Sequence, residues 1–337
     1  MRGIATATVG LLFAWTAWLV ATFLATGTIG LYPASTAMLT RLVPMERRQK
    51  VYGVQFMLLN AGLGLGGVIS GLIVDTHRPV TFERLYDLDA LSYLGHVAVI
   101  LSLPRGTGAL PPVAPEGVMD VLTPPPGWRT VLRDRTLLRV VAASGVAITF
   151  GYAQFQTGFS AYVVSVAGVD AGWLGWAFGA NTAAIVVGQL LTLRLVRGRS
   201  RTRMLALAAG IWSVSWGVIA LSDVVSGLSA VTLVIVGLGV FGLGETIWAP
   251  ISPAIVNELA TEELRGRYNA LQGMTWTVAS VIGPALTGLL IGNGFVGVWV
   301  GLTVGGSALA AVLFLLLRRH LTAVQDGRAR VGHELAA

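Results

Sequence analysis

Cysteine is absent from the 337 residues, which excludes a disulfide framework, a thiolate metal site and thiol chemistry. Charge is scarce: Asp, Glu, Lys and Arg make up 12% of the chain, against roughly 25% in an ordinary soluble domain. The phosphate loop G-x-x-x-x-G-K-[ST] is missing, so a nucleotide-driven pump is excluded. G-x-S-x-G and H-E-x-x-H are missing as well, and a membrane-embedded hydrolase is left without a nucleophile or a zinc pair. The apolar runs do not alternate with polar residues, which argues against a transmembrane β-barrel.

What the chain has is hydrophobic length. Mean hydropathy is +0.74, and apolar runs recur at the roughly 20 residues needed to cross a bilayer. The fold class expected is an all-α polytopic membrane protein. Nine spans are predicted, at 9–40, 51–74, 88–103, 139–165, 172–193, 204–222, 229–256, 269–291 and 295–317. No cleavable signal peptide is evident, because the first apolar run is too long and runs on without a break. The formal charge of +7 does not point to nucleic acid, because its distribution is a topology signal. Twenty of the 23 basic residues fall in every second connection: 41–50, 104–138 with Arg139 at its edge, 194–203, Arg265 with Arg267, and the tail after 317. Those connections are expected to be cytoplasmic, with the C-terminus inside.

The chain repeats itself. At a shift of 217 residues Pro33 falls on Pro250, Arg48 on Arg265, Gln55 on Gln272 and Gly66 on Gly283, without a gap. The two copies share one orientation, and two parallel halves of six helices are a recurrent transporter plan. On that plan the second half is complete, and the first would start roughly 80 residues before Met1. The chain is therefore expected to hold spans 4 to 12 of a twelve-span protein, lacking the first three helices; the alternative is a genuine nine-span protein. The organisation predicted is a partial first half at 1–103, a cytoplasmic Pro-rich linker at 104–138, a second half at 139–317 and a cytoplasmic tail at 318–337.

These features carry a family resemblance over essentially the whole chain. The stretch 244–288, GETIWAPISPAIVNELATEELRGRYNALQGMTWTVASVIGPALTG, is similar to the tenth and eleventh helices of drug–proton antiporters of the major facilitator superfamily. The antiporter motif of the fifth helix, Gly-x3-Gly-Pro-x2-Gly-Gly, is approximated by GLGLGGVISG at 62–71, with Gly67 in place of the proline and Ser70 in place of a glycine. The repeat copy ASVIGPALTG at 279–288 keeps Pro284. The basic loop RLVRGRSRTR at 194–203 corresponds to the family's loop motif but lacks its Asp. The resemblance implies a secondary transporter and proton-coupled efflux of a small drug-like or amphipathic molecule. Its partners would be protons, a small-molecule substrate and the lipid bilayer, and it would act as a monomer in the cytoplasmic membrane without a cofactor. Two further readings stay open: a transport-inactive fragment and an importer of a small metabolite.

Among 16 acidic residues, Glu245 is the one deep in a predicted span, about 16 residues from its outer start and about 11 from its inner end. A charge at such depth costs about 2.5–3.5 kcal/mol on insertion scales. A carboxylate there can take and release a proton as its surroundings wet and dry, which is the chemistry of a proton-coupled carrier; the competing role is interhelical glue. His96 is the histidine inside a span and a second proton-relay candidate, or a structural hydrogen-bond partner. Asn60, Gln154, Gln156 and Asn181 are candidates for a cavity lining, with Gln189 beside them. Gln154 and Gln156 lie about 200° apart around a helix and cannot both face it. Trp248, with Tyr152, Phe155 and Phe159, would supply aromatic walls. Arg48 and Arg265 occupy matching turns and are candidates for an inner gate, paired with Glu46 or Glu263, or plain topology charges. Gly62, Gly66 and Gly283 with Pro284 serve gating or close helix packing.

Overall fold

The structure, a computed structural model, describes residues 45–74, 78, 80–103, 127–196 and 198–328. It is helical throughout the described residues, and eight long helices carry it: α1 Met45–Ile73, α2 Val80–Ser102, α3 Arg135–Ser165, α4 Leu174–Leu195, α5 Arg201–Ala220, α6 Leu228–Leu259, α7 Arg265–Gly292 and α8 Val296–Leu317. The predicted span 9–40 lies outside the described residues. Among the described residues, five helical segments are long and apolar enough to cross a bilayer: Arg135–Ser165, Arg201–Val224, Leu228–Leu259, Arg265–Gly292 and Val296–His320.

Most helix ends fall within about a turn of the sequence expectation; the exceptions are the starts of α1, at Met45 rather than 51, and of α2. The second described helix starts at Val80 rather than near residue 88. Glu83 sits in its first turn, where a carboxylate complements the exposed N–H groups, and Asp87 follows inside the helix rather than before it. The start of α3 is set by Asp134, whose carboxylate accepts from the backbone N–H of Thr136 at 2.8 Å and of Leu137 at 3.1 Å. The same carboxylate accepts the Tyr268 hydroxyl at 2.8 Å, tying the beginnings of α3 and α7 together.

Two compact units divide the chain, Met1–Leu58 with Gly66–Val121, and Leu59–Leu65 with Leu122–Ala337. In the first, Leu88, Leu91, Leu94, Val99 and Leu101 of α2 are exposed, as suits a lipid-facing surface. In the second, α4 packs on α6, and α5 lies against both α6 and α8. Its core is aromatic: Trp212, Trp216, Trp299, Tyr162, Phe159, Phe241 and Phe314 are fully buried. Trp212 stacks on Phe241 with ring centroids 5.2 Å apart, and Tyr162 stacks on Trp299 at 5.2 Å. Glycines make room for these rings. A Cβ at Gly244 would stand 2.6 Å from the Trp212 indole, and one at Gly158 would stand 2.5 Å from Trp299. Without a hydrophobic drive between helices in lipid, this fit of large rings against missing side chains supplies the dispersion contacts that hold the bundle. Pro250 and Pro253 lie inside α6 and Pro284 inside α7, an interior placement that membrane-spanning helices tolerate.

A carboxylate between helices

Glu245 lies near the middle of α6, in a sequence so apolar that no other side chain of the helix interior carries charge. It is 3% exposed. Its Oε2 accepts from the Asn181 amide of α4 at 2.7 Å, and the same Nδ2 also donates to the Leu238 carbonyl at 3.3 Å. That amide is brought so close by Gly242: a Cβ there would meet the Asn181 carbonyl oxygen at 2.7 Å. Tyr152 of α3 also stands within electrostatic reach of Glu245, and of the Gln156 amide. Among the described residues the Glu245 carboxylate makes no ion pair.

Tyr152 reaches this position at the end of a π-helical turn, Ile148–Tyr152, set into the middle of α3. Such a turn shifts the register of the side chains beyond it by one residue, and it occurs often at functional sites. The turn places Tyr152 edge-on to Trp276 of α7 at 4.7 Å and to Phe155 at 5.6 Å. Phe155 stacks on Phe241 at 5.1 Å and meets Phe178 at 5.6 Å. Through Tyr152 the carboxylate adjoins a group of aromatic rings drawn from α3, α4, α6 and α7. Trp276 remains 40% exposed and Gln156 is exposed at the edge of this group.

The two glutamines of α3 point to different neighbours, as the 200° separation requires. Gln154 is 1% exposed, and its Oε1 accepts from Trp299 Nε1 at 2.8 Å and from the Thr287 hydroxyl at 3.0 Å. Its Nε2 donates to the Thr149 carbonyl at 3.2 Å, a carbonyl five residues back that the π turn leaves available. Gln154 therefore ties α3, α7 and α8 together. Trp248 is 5% exposed and packs on Trp212 at 5.1 Å and on Phe314 at 5.7 Å, within the core. Asn60 and Gln189 are buried, at 8% and 4% exposure, and the Gln189 Oε1 accepts no hydrogen bond among the described residues.

Gly283 is buried where α7 crosses α3, and a Cβ there would stand 3.0 Å from the Ala153 Cβ. Pro284 comes next, on the exposed side. A Cβ at Gly62 or Gly66 meets nothing within 4 Å among the described residues. Arg265 opens α7 and is exposed. Arg48 lies in α1 and His96 in α2; the side chains of both lie outside the described residues. No group of three His, Cys, Asp or Glu that could hold a metal ion occurs among the described residues.

Sequence reasoning found Glu245 and Asn181 but not that they meet, and it read Tyr152 as an aromatic wall rather than as a neighbour of the carboxylate. Asn181 was legible only as an amide in a span. The tight Gly242 in FGLGE was the signal that could have placed α4 against it.

Comparison with known proteins converges on one family. The model of the Major Facilitator Superfamily matches residues 1–248 and again 168–336. An uncharacterized MFS-type transporter of Bacillus subtilis (strain 168), YhjO, is 25% identical over 260 residues, covering 77% of this chain and 60% of its own length. A second from the same organism, YqjV, is 23% identical over 263 residues, with the same coverage of both chains. The chain spans about 60% of the length of these curated relatives. Among solved structures, a POT family transporter in complex with a thioalcohol conjugated peptide superposes with a TM-score of 0.73 at 14% identity, covering 94% of this chain and 78% of that one. A peptide transporter POT gives 0.66 at 16% identity, covering 97% and 78%. At these identities the likeness is one of fold. The family is one of transport proteins rather than enzymes, and with its apolar helices this chain is a multi-pass membrane protein and belongs to the Major Facilitator Superfamily.

Proposed function

We propose that the protein is a proton-coupled secondary transporter that exports a small drug-like or amphipathic molecule across the cytoplasmic membrane. The C-terminus and the 194–203 loop would lie inside. One observation carries the reading: a carboxylate buried mid-helix with amide and phenol neighbours and no cation among the described residues. A buried carboxylate without a compensating positive charge is costly when ionised and is relieved by taking a proton. Asn181 can serve both states, because its amide donates to the carboxylate and still has an acceptor in Leu238 when the acid is neutral. Tyr152 can donate to the ionised form and accept from the protonated one. The ring group of Tyr152, Phe155, Phe178 and Trp276 beside it suits a flat apolar molecule, and Gln156 offers a polar contact at its edge. Gln154 and Trp248 serve this site by fixing the helices that build it.

The test is proton movement in proteoliposomes carrying a trapped pH-sensitive dye, with an imposed pH gradient and ethidium as the probe. Wild type should couple ethidium movement to proton flux, and Glu245→Gln should bind ethidium but lose gradient-driven accumulation. Gradient-driven accumulation by Glu245→Gln at the wild-type rate would make Glu245 an interhelical tie. Absence of coupled flux in wild type would favour a chain without transport activity of its own.

A further inference from the structure

The 194–203 loop holds five arginines within ten residues and no carboxylate. The carboxylate comes from the tail. Asp326 is 0% exposed, although it lies beyond the last long helix. Its Oδ2 accepts the Ser200 hydroxyl at 2.7 Å across 126 residues of sequence. Its Oδ1 accepts from Thr202 twice, from the backbone N–H and from the hydroxyl, both at 2.9 Å. Arg328 Nε stands 2.9 Å from Oδ2 and Arg318 Nε 3.9 Å. The Asp326 carbonyl accepts the Arg201 N–H at 2.8 Å. A negative charge thus sits on the unsatisfied N–H groups at the start of α5, where the helix dipole favours it.

Two further contacts widen the junction. The Arg201 guanidinium donates to the Gln325 carbonyl at 2.9 Å and pairs with Glu258, at the end of α6, at 3.3 Å. Gly327 makes the turn that lays the tail on the loop. Its φ is +72°, and a Cβ would stand 3.3 Å from Arg201 and 3.5 Å from the Arg199 carbonyl oxygen. Only glycine adopts that φ without strain. Leu321 anchors the start of the segment, 7% exposed.

We propose that residues 321–328 are a strap, with Asp326 as its buried anchor, that clamps the arginine-rich loop and makes the start of α5 and the end of α6 one rigid body. The strap fixes the loop through Ser200 and Thr202 on the Asp326 carboxylate and through Arg201 on the strap's backbone carbonyls. It sets the conformation of the connection between α4, which carries Asn181, and α5, and so it holds the second half fixed at this end.

Limited trypsin digestion of the purified full chain in detergent tests the strap, because it lies against the Arg201 side chain and the Arg199 backbone, and cleavage needs that backbone to open. Asp326→Ala should speed cleavage between residues 198 and 203 by about ten-fold, since protection against a protease tracks the cost of local opening. Its melting temperature should fall by about 3–8 °C. Asp326→Asn, which keeps the shape but not the charge, should fall between it and wild type, and Gly327→Ala should open the loop through backbone strain with Asp326 intact. If Asp326→Ala yields no folded protein, the other two variants are read alone. Loop cleavage at the wild-type rate in the variants that fold overturns the strap. So does accelerated cleavage equal at all exposed arginines, which would mean general loosening.

Discussion

Glu245 and Asp326 are both carboxylates hidden from solvent in the second half, and their surroundings are opposite. Asp326 has two arginines, two hydroxyls and a backbone N–H around it. Glu245 has one amide at hydrogen-bond distance and a phenol beside it. A buried charge that is fully paired holds a structure in one state. A buried carboxylate left without a cation is stable in one protonation state only as long as water is excluded, and it is the one suited to changing state. By its donors and positive charges Asp326 fits the fastening proposed for it, and Glu245, with no cation among the described residues, fits the proposed switch.

Neutralising each acid breaks or sharpens that contrast. The largest effect expected is functional: Glu245→Gln should lower ΔpH-driven ethidium accumulation in proteoliposomes at least about 100-fold, because a group that cannot take a proton removes coupling altogether rather than slowing it. Its melting temperature should stay within about 2 °C of wild type, since the Gln carbonyl still accepts from Asn181 and no ion pair is lost. For Asp326→Ala the order reverses. Stability should fall by about 2–4 kcal/mol, because Ser200, Thr202 and Arg328 lose a shared acceptor. A Glu245→Gln variant that melts as low as Asp326→Ala would erase the distinction. Gly244→Ala should cost about 1–3 kcal/mol in thermal unfolding, because its Cβ would overlap Trp212 one residue from Glu245. The smallest effect belongs to Glu258→Gln. Its pair with Arg201 is partly exposed, with side chains 23% and 31% accessible, and should contribute no more than about 0.5 kcal/mol. Salt at about 1 M should remove that difference and leave the Asp326 effect in place.

Much of the helical plan could be read from the chain, because a bilayer imposes a length and an apolar composition that survive without knowledge of contacts. The start of α2 moved for a local reason at Glu83, whose charge reads as loop in a hydropathy pattern but serves as a helix start. Glu245 was visible for the same reason as the spans: one acid stands out against an apolar run. The π turn at Ile148–Tyr152 had no such marker, since ITFGY is ordinary span sequence and the extra residue is decided by how α3 packs on its neighbours. Gln154 shows the limit on the polar side. Its amide marked a possible cavity, yet Trp299 and Thr287 lie 145 and 133 residues away and claim its oxygen.

By itself the sequence determined that the chain is helical, membrane-spanning and built on apolar runs of bilayer length, and that one carboxylate sits at mid-depth. These conclusions rest on solvation, which acts on each segment alone. Which buried acid is compensated, which amide reaches Glu245, and that the tail carboxylate lands on Ser200 and Thr202 were decided by tertiary structure. Hydrogen bonds and ion pairs need atoms within about 3–4 Å. Nothing in the order of residues brings Asp326 to Ser200 or Asn181 to Glu245 until the helices have packed.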